Sequence, residues 1–265
     1  MRQAIEVESI LTVGTGADAR PIARSVREGA APTLLWLGGY RSDMRGTKAE
    51  RLADLAAREG LGFCRFDYSG HGASGGRFEE GTISRWLEET LCVVESLRAG
   101  PLLVVGSSMG AWIALRLVQR LRGTPAGRPV AGLVLLAPAP DFTERLVRPR
   151  LTADARARLE RDGVLREPSR YGDEPDLYTA ALLEDGAANL VMEGTIETGC
   201  PVHIVQGMED PDVPFSHALE LVTHLPADGV TVTLVKDGDH RLSRPTDLAL
   251  IERIVLAEVA ALRQA

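Results

Sequence analysis

The apolar residues of this chain change their period several times, and each change marks an element. Residues 4–13 and 20–27 alternate weakly on either side of Gly14-Thr-Gly-Ala-Asp18, the pattern of an antiparallel hairpin. Thr33-Leu-Leu-Trp-Leu37 is an almost unbroken apolar run, as expected of a strand covered on both faces of a parallel sheet. Thr47-Lys-Ala-Glu50 has the form of a capping box and predicts a helix with Leu52, Leu55 and Ala56 inward and Gly60 as its stop. Leu61 to Phe66 is a second strand, and Asp67 to Gly76 a glycine-rich loop. Ile83, Trp86, Leu87, Leu91, Val94 and Leu97 recur at helical spacing over 82–98. Strand 102–106, helix 110–121 and strand Val130 to Ala137 follow.

Strands alternating with helices at this density predict an α/β fold with a mostly parallel central sheet and helices on both faces. Between Pro138 and Gly199 the alternation stops. Two helix-like pieces, 152–162 and 175–189, occupy that stretch without a recognisable strand. An insertion beyond the carboxyl end of a central strand is where a lid would lie, so 141–198 is expected to be a small helical lid within one domain spanning 1–265. Alternation resumes with Pro201 to Gln206, a helix near 215–224 and the strand Val230 to Val235. Leu248, Ile251, Val255, Val259 and Leu262 make a closing helix.

One junction stands apart. Leu102 to Val105 ends in Gly106-Ser107-Ser108-Met109-Gly110 and passes at once into helix-forming residues. Gly-x-Ser-x-Gly between strand and helix is the pattern that lifts a serine hydroxyl clear of a sheet, with Gly106 and Gly110 small because the two backbones meet there. Ser108 is the expected nucleophile. A second copy, Gly72-Ala73-Ser74-Gly75-Gly76, lies in a loop and reads as a turn.

A serine hydroxyl needs a base. Among the five histidines, His203 lies mid-strand, His217 and His224 are expected on a helix surface, and His71 sits in a glycine loop from which it could approach the site, with a turn role preferred. His240 follows the last strand, from which a base can reach the elbow. Asp210, preferred to Asp212, stands after strand 201–206 as the acid that orients it. The order Ser108, Asp210, His240 is that of α/β-hydrolases. Two N–H groups are expected to form an oxyanion hole, those of Met109 and Tyr40, with Gly39 kept small so that nothing intrudes.

The net charge of −7 argues against a nucleic-acid partner. The cations are arginine except Lys48 and Lys236; Arg145, Arg148, Arg150, Arg156, Arg158 and Arg161 read as a solvated face paired with acids, with a cationic rim as the alternative. Cys64, Cys92 and Cys200 have no metal-like spacing and read as buried thiols of a reducing compartment. With no apolar leader in the first residues and no run of membrane-spanning length, a cytoplasmic location without stable membrane insertion is expected.

Several strings carry a resemblance: Gly39-Tyr40, Gly46-Thr-Lys-Ala49, Arg65-Phe-Asp-Tyr-Ser-Gly70, Gly106-Ser-Ser-Met-Gly-Ala-Trp112, Gly207-Met-Glu-Asp-Pro-Asp-Val-Pro214 and Asp239-His-Arg241. With them the chain resembles the serine-esterase branch of the α/β-hydrolases, and within it the mitochondrial palmitoyl-protein thioesterases of animals, also described as acyl-glucuronide esterases. The resemblance implies a triad of Ser108, Asp210 and His240 and deacylation of esters or thioesters, of small molecules or acylated proteins, with no cofactor or metal. Cleavage of a C–C bond beside a ketone, or a cofactor-free peroxidase-like activity, is open to the same scaffold. A non-catalytic binding protein would be expected to show a broken triad. The serine at the elbow argues against a dehalogenase or epoxide hydrolase, which place a carboxylate there.

Overall fold

A computed structural model describes residues 5–122, 129–168, 170, 175–226 and 229–264. In chain order its elements are β1 (Glu6–Val13), β2 (Arg20–Arg27), β3 (Ala30–Leu37), α1 (Thr47–Glu59), β4 (Leu61–Phe66), α2 (Ile83–Ser96), β5 (Leu102–Ser107), α3 (Met109–Leu121) and β6 (Val130–Leu136). Then come α4 (Ala153–Asp162), β7 (Val164–Glu167), β8 (Asp176–Thr179), α5 (Ala180–Ala187), β9 (Val202–Gly207), α6 (Phe215–His224), β10 (Val230–Val235) and α7 (Pro245–Gln264).

Eight strands form one sheet in the order β1-β2-β4-β3-β5-β6-β9-β10. The hairpin at its edge is antiparallel, β2 meets β4 antiparallel, and every later pairing is parallel. β4 and β5 are buried at every residue, which is why neither alternates: both are mainly apolar, with Arg65 the one charged residue among them. α1 and α7 cover one face through Leu52, Leu55, Ile251 and Val255. α2, α3 and α6 cover the other through Trp86, Trp112, Leu117 and Leu221. Trp86 and Trp112 are fully buried, and their indole N–H groups find the carbonyls of Ser69 and Asn189 at 3.3 and 3.1 Å, as large buried aromatics with a polar edge require.

Two local expectations are corrected. The capping box does not form: Gly46 is the N-cap of α1 and no side chain caps it. Glu50 turns instead to Arg65 at 2.7 Å, because a buried guanidinium on β4 needs a carboxylate more than an exposed helix end does. The stretch between β6 and β9 is not purely helical. β7 and β8 pair antiparallel, Val164 with Thr179 through Glu167 with Asp176, so the piece read as one helix over 175–189 is a strand followed by α5. This stretch packs around its own small cluster of Ala155, Leu159, Leu165 and Leu183. Asp141 closes its neck: wholly buried and at φ 55°, it accepts the N–H groups of Val191 and Met192 at 2.9 and 2.8 Å. Burial raises its pKa while those two donors oppose the rise.

Candidate active site

β5 passes into α3 through Ser108 alone. Its φ of 54° and ψ of −117° are strained for a residue with a side chain, at a cost of about 1–3 kcal/mol. The neighbouring glycines are set by close approach. A Cβ on Gly106 would stand 2.6 Å from the Gly110 carbonyl oxygen, and one on Gly110 only 2.1 Å from that of Leu37. One on Gly39 would press on Ser107 O and Ser108 Cβ, both at 3.3 Å.

β9 and β10 end side by side and deliver the other two residues. Asp210 is buried, and its Oδ1 accepts the N–H groups of Asp212 and Val213 at 2.9 and 2.8 Å. Its Oδ2 faces His240 Nδ1 at 2.7 Å and accepts from Gln206 Nε2 at 3.2 Å. His240 Nε2 lies 3.1 Å from Ser108 Oγ. With Nδ1–H donating to the carboxylate, Nε2 is the unprotonated nitrogen and can take the serine proton. The structure thus brings Ser108, His240 and Asp210 together, with Asp212 contributing its backbone N–H to Asp210. Asp210, Asp212 and His240 offer ligand atoms within 4.8 Å of one another, but both oxygens of Asp210 already accept N–H donors, an arrangement suited to orienting an imidazole.

Tyr40 and Met109 line the same cavity as Ser108 and His240, a space of about 960 Å³. Met109 is the first residue of α3, where backbone N–H groups lack helical partners. The Tyr40 ring stacks on Tyr178 with centroids 6.0 Å apart and planes 1° from parallel, and its hydroxyl donates to the Leu177 carbonyl. Burial first, and Tyr178 second, raise the pKa of that phenol well above its ordinary value. Arg41 follows at φ 59° and donates from Nη1 to the Pro175 carbonyl at 2.5 Å. Both residues therefore hold the backbone just before and within β8.

Phe142, Leu146, Val147, Leu151, Ala155 and Tyr178 give the cavity an apolar side. Asp43, Lys48 at the start of α1, Asp239, Arg241 and Arg244 give it a polar one. Lys48 donates from Nζ to the carbonyl of Arg241, one residue past His240; burial first, and the charge of Arg241, pull its pKa down to about 8. Arginines in the insertion are largely paired: Arg145 with Glu220 at 2.6 Å, Arg158 with Asp154 and Glu167 at 3.2 and 3.1 Å, Arg161 with Asp162 at 2.8 Å. Arg150 and Arg158 reach the cavity.

The remaining histidines divide. His203 is half-buried between Thr233 and Glu258, at 2.9 and 3.4 Å. His217, expected on the surface, is 5% exposed and meets the Pro140 carbonyl at 2.9 Å, because it shares the inward stripe of α6 with Ala218 and Leu221. His224 is half-buried, with Nδ1 3.0 Å from the Gly194 carbonyl oxygen. His71, expected in a turn, is buried against the loop of Tyr40 and Arg41. Ser74 has the turn role expected of it, donating to Asp67 O at 2.6 Å and accepting from Ala23 N at 2.8 Å. Gln206 has no signal in the sequence that marks its place beside Asp210, and His71, whose turn role is preferred from the sequence, lies against the loop of Tyr40 and Arg41 instead.

The chain belongs to the alpha/beta hydrolase family, whose model matches residues 34–249. Among curated proteins it is similar to the mitochondrial palmitoyl-protein thioesterase ABHD10 of Bos taurus, 30% identical over 228 residues, which are 84% of this chain and 72% of that one. Among solved structures it is similar to a protein of Agrobacterium vitis S4, with a TM-score of 0.95 and 56% identity over 96% of this chain and 99% of that one. Mouse alpha/beta hydrolase domain-containing protein 10 gives a TM-score of 0.84 and 27% identity over 97% and 99% of the two chains.

These relatives correct one expectation. The cytoplasmic location does not stand, since the curated relatives at 29–30% identity are mitochondrial proteins by name. Cys64 is buried as expected, whereas Cys92 and Cys200 are half-buried, and thiol burial does not tell one reducing compartment from another. Among the described residues no helix is long and apolar enough to cross a membrane.

Proposed function

We propose that this hydrolase cleaves acyl esters or thioesters through an acyl-serine intermediate. The observation that carries the reading is the unbroken relay from Asp210 Oδ2 to His240 Nδ1 at 2.7 Å and from His240 Nε2 to Ser108 Oγ at 3.1 Å. His240 takes the proton of Ser108 as its oxygen attacks the acyl carbon. The N–H groups of Tyr40 and Met109 receive the charge that develops on the carbonyl oxygen. His240 then protonates the leaving alcohol or thiol and, in the second half, activates the water that releases the acid. Asp210 stabilises the imidazolium throughout.

The reading treats the chain as one hydrolase domain with residues 141–198 as its lid. The apolar side chains of that segment would take the acyl chain, as Phe142, Leu146 and Val147 line the cavity. The palmitoyl-protein thioesterases among the relatives favour a fatty acyl thioester as substrate. The test is a fluorophosphonate probe followed by peptide mapping, together with a panel of p-nitrophenyl esters and S-acyl peptides of graded length. Labelling at Ser108 and turnover that rises with acyl length are expected; an unlabelled protein that turns over none of the panel would refute the proposal.

A further inference from the structure

His71 takes no part in the relay of Ser108, His240 and Asp210, yet it is wedged against the loop that carries Tyr40. Its residue is 4% exposed. The ring lies edge-on among Tyr68, Phe78 and Trp86, at centroid distances of 5.7, 5.0 and 5.3 Å. Nδ1 is 3.2 Å from the Ser69 carbonyl oxygen, and Nε2 is 3.3 Å from the backbone nitrogen of Arg41. A carbonyl only accepts and a backbone N–H only donates, so the two partners fix the tautomer: Nδ1–H donates and Nε2 accepts. Burial above all, and the charge of Arg41, pull the pKa of the ring down to about 4 against the opposing bond to Ser69. Nε2 is therefore able to accept at neutral pH.

The partner is itself unusual. Arg41 holds φ at 59°, a left-handed conformation that a residue with a side chain keeps only when its surroundings hold it there. Its N–H belongs to the peptide plane that leaves Tyr40. Fixing that plane, while Gly39 rests on Ser107 and Ser108, fixes the backbone of Tyr40 from both sides.

We infer that His71 is a positioning residue for the oxyanion site: its Nε2 holds the N–H of Arg41 and thereby aims the N–H of Tyr40 at the acyl oxygen. The inference rests on the proposed reaction at Ser108. Because charge reaches that oxygen only as the tetrahedral state forms, loss of the aim falls on kcat and spares substrate binding.

The test compares His71→Phe, which keeps a ring in the aromatic cluster but has no acceptor, with His71→Gln, whose amide oxygen can accept from Arg41. Hydrolysis of p-nitrophenyl butyrate is measured per mole of serine titrated to completion with a fluorophosphonate, so that misfolded chains are not counted. The Ki of a trifluoromethyl ketone, which forms a tetrahedral oxyanion adduct, is measured alongside. His71→Phe is expected to lower kcat about 10–100-fold with KM within about twofold, and to weaken the ketone by the same factor, somewhat less than outright loss of an oxyanion donor. His71→Gln is expected to recover most of both. A Phe variant with kcat and Ki close to wild type, a loss confined to KM, or equal losses in Phe and Gln would overturn the inference. Should the Phe variant yield no titratable serine, His71→Ala replaces it, and Ala and Gln variants of equal kcat would overturn it as surely. Wild-type protein that takes up no fluorophosphonate at Ser108 would sink the reaction itself, and this inference with it.

Discussion

The carbonyl oxygen of Gly238 lies 2.3 Å from the point that a Cβ on Gly207 would occupy. That contact is where the loops after β9 and β10 cross, three residues before Asp210 and two before His240. The 2.7 Å spacing between carboxylate and imidazole depends on that approach. Gly207→Ala is therefore expected to cost about 1–3 kcal/mol of stability by overpacking and, by parting the loops, to lower kcat at least about tenfold. Thermal unfolding and steady-state kinetics on one preparation check both.

Ser108→Ala is expected to lower kcat on the order of 10⁴–10⁶-fold with folding intact. Ser74→Ala, in the second copy of the glycine-serine pattern, is expected to leave kcat nearly unchanged. It should cost about 1 kcal/mol, since the Ser74 hydroxyl bridges Asp67 O and Ala23 N. Kinetics and denaturant midpoints of the two variants separate the copies.

Asp210→Asn keeps an oxygen for the N–H groups of Asp212 and Val213 but turns an amide NH₂ toward His240. The imidazole must then accept at Nδ1, which puts its proton on Nε2, facing Ser108. A fall in kcat on the order of 10⁴ is expected, with the near-UV circular dichroism of the wild type retained. A variant within tenfold of wild type would show that Asp210 does not set the tautomer.

The depressed pKa of His71, about 4 against an ordinary 6.5, has a consequence for stability. Between these values the unfolded chain binds a proton that the folded chain refuses, so stability falls as pH drops from about 6.5 to 4 and levels off below. The loss from this one group is on the order of 3 kcal/mol. Asp67 and Asp141, whose pKa values burial raises, act in the opposite sense as they take up protons. The comparison that isolates His71 is therefore wild type minus His71→Phe in urea midpoints from pH 7 to 4, where the difference should fall by about that amount toward the acid end.

Much of this molecule was legible because its signals are local. The apolar runs ending at Leu37 and Val105 announced buried strands, and Gly106 to Gly110 announced the elbow. Ser108, Asp210 and His240, which the structure brings within contact of one another, each stand just after a strand, where side chains can converge. What escaped has no local mark. β7 and β8 are four residues each, too short for a period to declare itself. His217 turned inward because α6 presents it there. The role of His71 depends on a backbone N–H thirty residues away, and that of Glu50 on an arginine buried in the next strand. No pattern read along the chain contains such a partner.

The hydroxyl of Tyr40 and the guanidinium of Arg41 both fasten onto carbonyls of Leu177 and Pro175. The backbone around β8 is thus sewn to the loop that lies beside Ser108. Anyone exchanging that segment for one from another protein should move residues 38–43 with it. Otherwise the graft would leave two donors searching for acceptors that are no longer in place.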